Sequence, residues 1–146
     1  MRKFEICKRF KNTATMPNRS TKFSAGYDFY AAEDCILNPK EIEIVHTGIK
    51  TMMSNNEVLL LYIRSSMAMK GIMLANGVGV VDSDYYNNKD NEGEIGFIVY
   101  NSTEFVQEIK KGQKFGQGIF MEYKIAYNET TTDEIREGGF GSTGEK

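Results

Sequence analysis

The longest uninterrupted apolar run in this chain is six residues, Val58-Leu59-Leu60-Leu61-Tyr62-Ile63. A run of that length fits a strand covered on both faces and is far too short to cross a bilayer. The remaining apolar segments are no longer. Ile42-Glu43-Ile44 alternates as a half-buried strand should, and Ile95-Gly96-Phe97-Ile98-Val99-Tyr100 and Gly118-Ile119-Phe120-Met121 are further candidates. Asn38-Pro39-Lys40, Ser54-Asn55-Asn56 and Lys111-Gly112-Gln113 separate them with turn chemistry. Short strands punctuated this often predict an all-β fold, a β-barrel or double-sheet jelly roll. One short helix is expected at Ser65-Ser66-Met67-Ala68-Met69-Lys70-Gly71, with serines at its start and a glycine at its stop.

A chain of 146 residues supports one domain with a real core. With 40% hydrophobic and 26% charged residues it is ordinary globular material, and a net charge of −2 offers no basic surface for a nucleic-acid backbone. Neither nucleic acid nor membrane is an expected partner. Cys7 and Cys35 make no CxxC pair or disulfide framework, and Met1-Arg2-Lys3-Phe4-Glu5 turns polar before a leader could form. Both features favour a reducing, cytoplasmic setting. The single histidine, His46, reads as a surface or strand residue. Two stretches read as loose: Asn87-Asn88-Lys89-Asp90-Asn91-Glu92, and the glycine-rich arm 136–146 that follows a β domain at 1–135.

Five blocks carry candidate chemistry. Ala25-Gly26-Tyr27-Asp28-Phe29-Tyr30 is a strand with one aspartate, whose bland reading is a turn or solvent-facing residue. Arg64-Ser65-Ser66 leaves the buried strand and opens the helix, where backbone N–H groups, a guanidinium and two hydroxyls suit phosphate; the bland reading is an N-cap with a surface arginine. Asn76-Gly77-Val78-Gly79-Val80-Val81-Asp82-Ser83-Asp84-Tyr85 suggests a tight hairpin open to a ligand, then an aspartate held at a strand end as a candidate base; two acids so close also occur simply as turn residues. Gly112-Gln113-Lys114-Phe115-Gly116-Gln117 is a turn entering a strand. Arg136-Glu137-Gly138-Gly139-Phe140-Gly141-Ser142-Thr143-Gly144 is poor core material but suits a lid over an anionic, aromatic ligand.

Each block is weak singly; their order along one chain is specific. Together, over Ala25 to Gly144, they resemble the five motifs of the trimeric dUTPase family. The resemblance implies a jelly-roll homotrimer that hydrolyses dUTP to dUMP and pyrophosphate, with sites shared between chains. It implies Asp82 as the base that activates water for attack on the α-phosphorus. It places Tyr85 beneath the deoxyribose, and the segment from Asn76 and Gly77 to Val81 on the uracil. Phe140 would stack on the base. Arg64, Ser65, Ser66 and Gln117 would bind the phosphate chain, and Arg136, Ser142 and Thr143 the γ-phosphate. Mg²⁺ would be held mainly by the phosphates, with Asp28 in its outer shell through water. Phosphoryl transfer asks for positioning and charge neutralisation, and these residue types supply both.

The chain departs from the family pattern in three places. Tyr86 and Asn87 to Glu92 intervene before Gly93-Glu94, and are expected to lengthen a solvated loop. Lys114 and Gly116 stand where the fourth motif has arginine and alanine. Met67 replaces a usual leucine. Two rival readings share this fold. The dCTP deaminases share fold, trimer and Arg-Ser-Ser block, but need a glutamate three residues before an asparagine; counting back from Asn101 gives Ile98. A regulatory protein of the same fold would use the Tyr86–Glu92 loop to dock a protein partner. A jelly-roll capsid protein would need none of the five blocks.

Overall fold

The computed structural model describes residues 1–141 and Thr143. Among them eleven strands form, one for nearly every apolar segment that turn residues delimit. In chain order they are β1 (Lys3–Ile6), β2 (Tyr27–Tyr30), β3 (Cys35–Leu37), β4 (Ile42–His46), β5 (Ile49–Met52), β6 (Glu57–Ile63), β7 (Ile72–Leu74), β8 (Gly79–Asp82), β9 (Gly96–Asn101), β10 (Gln107–Ile109) and β11 (Lys114–Glu122). One four-residue helix, α1 (Ser65–Ala68), follows β6. No described helix is long and apolar enough to span a membrane.

All pairings are antiparallel. The strands run β2-β11-β6-β8 in the largest sheet and β4-β9-β7 in the second, with two-stranded pairs β1-β5 and β3-β10. Facing sheets enclose a main core, as a jelly roll requires, and Cys7, Phe10 and Ala32 form a small cluster beside it. At its centre Phe97 meets Phe115 edge-on at 4.9 Å and Phe29 at 5.4 Å, all three rings fully buried. Such ring pairs add to the burial term through their quadrupoles. They also explain a departure in the fourth motif. A Cβ at Gly116 would lie 2.5 Å from the Phe97 ring, so the alanine usual in the family has no room here.

The strand predictions hold; two of their burial readings do not. Leu59 and Leu61 enter the core, but Leu60 and Tyr62 are only half-buried, so β6 is not covered equally on both faces. Ile42 and Ile44 point outward at 58% and 37% exposure, and the buried residue of β4 is Val45. The alternation was real, but its apolar phase faces away from the core of the single chain. His46 is a strand residue, as expected, with Nδ1 2.8 Å from Glu94 Oε1. The helix is shorter than its pattern, and its N-cap is Arg64 in extended backbone rather than a serine, without a side-chain cap. Gly71, at φ +79, supplies the left-handed residue that the stop needs.

The stretch Tyr86–Glu92 is not loose, and it is only partly solvated, with Asn87, Lys89 and Asp90 exposed. Lys50 Nζ reaches Asn87 Oδ1 and Glu92 Oε2, both at 2.6 Å; Glu92 also accepts from the Lys8 amide, and Tyr86 donates to Glu5. Asn88 is 7% exposed and fully hydrogen-bonded. The polar composition that reads as solvation is spent internally, because Asx side chains satisfy their own turn.

Candidate active site

The expected hairpin at Asn76 is a corner. β7 pairs with β9 and β8 with β6, so the turn carries the chain from one sheet to another. Gly77 turns it at φ +73, with its amide on Leu74 O at 3.1 Å. Gly79 then lets β8 approach β6: a Cβ would lie 2.9 Å from Leu61 Cβ. At the end of β8 stands Asp82, and a single 3₁₀ turn, Ser83–Tyr85, swings Tyr85 back beneath the same opening.

These elements and the arm enclose a cavity of about 460 Å³, within the range of small-molecule sites. Asn76, Val81, Asp82 and Tyr85 line it from the β domain, together with Gly96 and Ile98; Arg136, Gly139, Phe140 and Thr143 line it from the arm. Gly77 turns the corner without lining the cavity. Tyr85 is 7% exposed, and burial raises its phenol pKa above the ordinary value. Gly139 lies against the Tyr85 ring, 2.6 Å from ring carbon to where a Cβ would stand. Phe140 is 55% exposed at the mouth. Arg136 is held by two acids: its guanidinium pairs with Asp82, its Nε with Asp84 Oδ1 at 3.3 Å, and its amide donates to Asp84 Oδ2 at 3.0 Å. Asp84, a turn residue on sequence grounds, is therefore part of the constellation. Ser142 lies outside the described residues.

The other predicted residues gather elsewhere. Asp28, buried on β2, accepts from Ser20 and faces Arg64 Nε at 3.3 Å and Lys114 Nζ at 3.7 Å. Its solvent-facing reading is wrong; a carboxylate is buried here because two cations and a hydroxyl compensate it. Gln117 pairs with Asp28 across the ladder, and its side chain packs over Gly26, where a Cβ would sit 2.5 Å from Oε1. Ser65 and Ser66 are exposed at the start of α1. None of Asp28, Arg64, Ser65, Ser66 or Gln117 lines the cavity.

The distance between the two groups follows from register. Asp82 pairs with Val58 near the start of β6, and Arg64 follows its end. Six residues of strand separate them by about 20 Å. One chain cannot bring both to a single phosphate group. Among the described residues no three His, Cys, Asp or Glu side chains cluster as a metal cage. Asp28, with both oxygens already engaged, fits a role behind water better than direct ligation.

Fold and cavity define a class: a small jelly-roll protein with a cavity between sheet corner and arm. A sequence model of the family described as dUTPase matches residues 12–144. The chain is 46% identical to the deoxyuridine 5′-triphosphate nucleotidohydrolase of Lactococcus lactis, over 99% of this chain and 98% of that protein. It is 35% identical to that of Fowlpox virus, over 94% and 95%. The crystal structure of dUTPase from Streptococcus mutans superposes with a TM-score of 0.81 at 39% identity, covering 84% of this chain and 97% of that one. The chain belongs to the dUTPase family, and its activity is that of a dUTP nucleotidohydrolase.

Sequence reasoning missed Asp84, Ser20 and the asparagines around Tyr85. Asn88 and Asn91, three apart in a polar stretch, carried the one usable signal, the spacing of an Asx-stabilised turn.

Proposed function

We propose that Asp82 activates water for attack on the α-phosphorus of dUTP, with Mg²⁺, in sites that a homotrimer builds from more than one copy of the chain. The observation that carries this reading is the cavity that joins Asp82, Tyr85 and the Asn76 corner, while Arg64 lies about 20 Å along β6. A second copy supplies Arg64, Ser65, Ser66 and Gln117 to the phosphates that Asp82 faces. The outward apolar residues of β4, Ile42 and Ile44, suit contact with a neighbouring copy.

The roles follow from placement. The corner at Asn76 and Gly77 reads uracil through main-chain groups, with Val81 packed below. Tyr85 underlies the sugar and leaves no room for a 2′-hydroxyl. Arg136 leaves Asp82 for the γ-phosphate as the arm of residues 136–146 closes, with Ser142 and Thr143 beside it, and this exchange frees the carboxylate to orient water. Phe140 covers the base. Closure excludes bulk solvent and strengthens each charge contact. Mg²⁺ would neutralise the triphosphate and hold its geometry, with Asp28 behind a water. A phage phi11 dUTPase, 19% identical with a TM-score of 0.74, is described as coordinating a structural Mg(II) ion. Ile98, which lines the cavity where a deaminase would need its glutamate, leaves no base for attack on cytosine.

The test is Asp82→Asn, which keeps shape and loses the proton acceptor. Turnover of dUTP should fall by about 10²–10⁴-fold while a non-hydrolysable analogue still binds. Near-wild-type turnover removes Asp82 from the role.

A further inference from the structure

Tyr85 is held by more than its burial. Its hydroxyl donates to Glu94 O at 2.6 Å and accepts from Asn91 Nδ2 at 2.8 Å. Its main-chain carbonyl accepts from Asn88 Nδ2 at 2.8 Å. The two asparagines are joined, Asn88 Nδ2 donating to Asn91 Oδ1 at 2.8 Å, and Asn91 Oδ1 also accepts from the Gly93 amide at 3.1 Å. Asn88 Oδ1 takes the amides of Asp90 and Asn91, at 2.9 and 3.1 Å. Both ends of Tyr85, carbonyl and phenol, are therefore tied to Asn88–Asn91, the segment that lengthens the third block beyond the family pattern.

The segment is itself anchored. Lys50 on β5 holds Asn87 and Glu92, and Glu94 takes the amides of Thr47 and Gly48, each at 3.0 Å. Displacing the ring would mean breaking a hydrogen bond at each end or shifting a brace tied to two other elements. The other face of the ring meets the arm at Gly139.

We propose that Asn91, held in place by Asn88, is a positioning residue for sugar selection: it fixes the Tyr85 ring so that the floor of the cavity stays closed to a ribose 2′-hydroxyl. This rests on the reading of Tyr85 as the residue beneath the sugar. Asn91 acts through the ring and contacts no substrate. A pocket tells dUTP from UTP only as sharply as its wall resists displacement. A ring tied at the phenol by Glu94 O alone can tilt and admit the extra oxygen.

The readout is the ratio of kcat/KM for dUTP to that for UTP, a quantity that mere loss of stability leaves unchanged. Wild type, Asn91→Ala, Tyr85→Phe, Tyr85→Ala and the double variant Asn91→Ala with Tyr85→Phe are compared. Asn91→Ala should lower the ratio by about three- to tenfold, the equivalent of one hydrogen bond, with kcat on dUTP little changed. Tyr85→Phe, which removes the hydroxyl's hydrogen bonds to both Asn91 and Glu94 O, should lower it at least as much. In the Tyr85→Phe background Asn91→Ala should add less than about twofold, because the contact is already gone. An unchanged ratio in Asn91→Ala, or an equal effect with and without the hydroxyl, overturns the proposal. If Asn91→Ala does not fold, Tyr85→Phe decides, and an unchanged ratio there overturns it. Tyr85→Ala separates the two layers. A wild-type ratio in that variant refutes the sugar reading itself, whereas a fallen ratio there beside an unchanged one in Asn91→Ala refutes only the brace.

Discussion

Removing the arm should abolish most activity and leave the domain standing. From Tyr123 to Ile135 every residue is exposed, and among the described residues beyond them the contact with the core is that of Gly139 on the Tyr85 ring. Among the described residues, a chain ending at Ile135 would lose the ion pairs and amide bond of Arg136 with Asp82 and Asp84, the exposed pair Lys89–Glu137 and the contact of Gly139 with the Tyr85 ring. The exposed Lys89–Glu137 pair contributes about 0–1 kcal/mol, and the part-buried Arg136 pairs give back much of their Coulombic gain to desolvation. Ordering the backbone that makes them costs roughly 1–2 kcal/mol per residue. The net is near zero, so Tm should move by no more than a few degrees, about 2–4 °C per kcal/mol for a domain of this size. Catalysis is a different matter. One charge-assisted hydrogen bond to phosphate is worth about 1.5–3 kcal/mol, and stacking on a base about 1–3 kcal/mol. Losing Arg136 and Phe140 together should therefore cost about 10²–10⁴-fold in kcat/KM. Calorimetry and pyrophosphate release on the truncated protein measure both quantities. A fall in Tm of ten degrees or more, or full activity without the arm, would refute the lid.

Three further outcomes are expected. Gly116→Ala should destabilise the fold by about 1–3 kcal/mol in a urea titration, because the added methyl meets the Phe97 ring, and Phe97→Leu should recover part of the loss. Glu92 is held below the usual carboxylate range, first by its hydrogen bond to Lys50. Its contribution is therefore full above the unfolded pKa, near 4.5, and is lost as pH falls through the lower folded value. Glu92→Gln should be less stable than wild type at neutral pH, and the gap should narrow below pH 4.5. Of dUTP, dTTP, dCTP and UTP, dUTP should be hydrolysed fastest, with release of pyrophosphate, and chelation of Mg²⁺ should suppress the reaction.

The all-β architecture was readable because strand signals are local: runs of three to six apolar residues bounded by turns leave little else to form. Phase was less readable. Ile42 and Ile44 alternate correctly, but periodicity cannot say which side of a sheet a core will occupy, nor whether a second copy covers the other side. The site blocks were legible as a set. Asp82 and Tyr85 meet at one cavity because they are three residues apart at a strand end, a local relation. Asp28 was misread because its neutralisation by Arg64 and Lys114 is assembled by β2, β6 and β11, and no window of sequence contains it. The Asn87–Glu92 stretch was misread for the opposite reason. Its polarity is real, but the side chains of Asn87, Asn88, Asn91 and Glu92 close on one another and on Lys50, and only part of the stretch, Lys89 and Asp90 included, is left to water.

The claim at the centre is that Asp82 and Arg64 of different copies serve one phosphate chain, and mixed assemblies test it most directly. Asp82→Asn and Arg64→Ala chains, each inactive alone, are co-expressed with different tags, and only assemblies carrying both tags are kept. A cyclic trimer of two kinds of chain has a single junction at which an intact Asp82 meets an intact Arg64 of its neighbour. Roughly one site in three, and so about a third of wild-type turnover, should return. If both groups served within one chain, no site would hold both intact, and turnover no higher than that of the inactive parents would contradict the account.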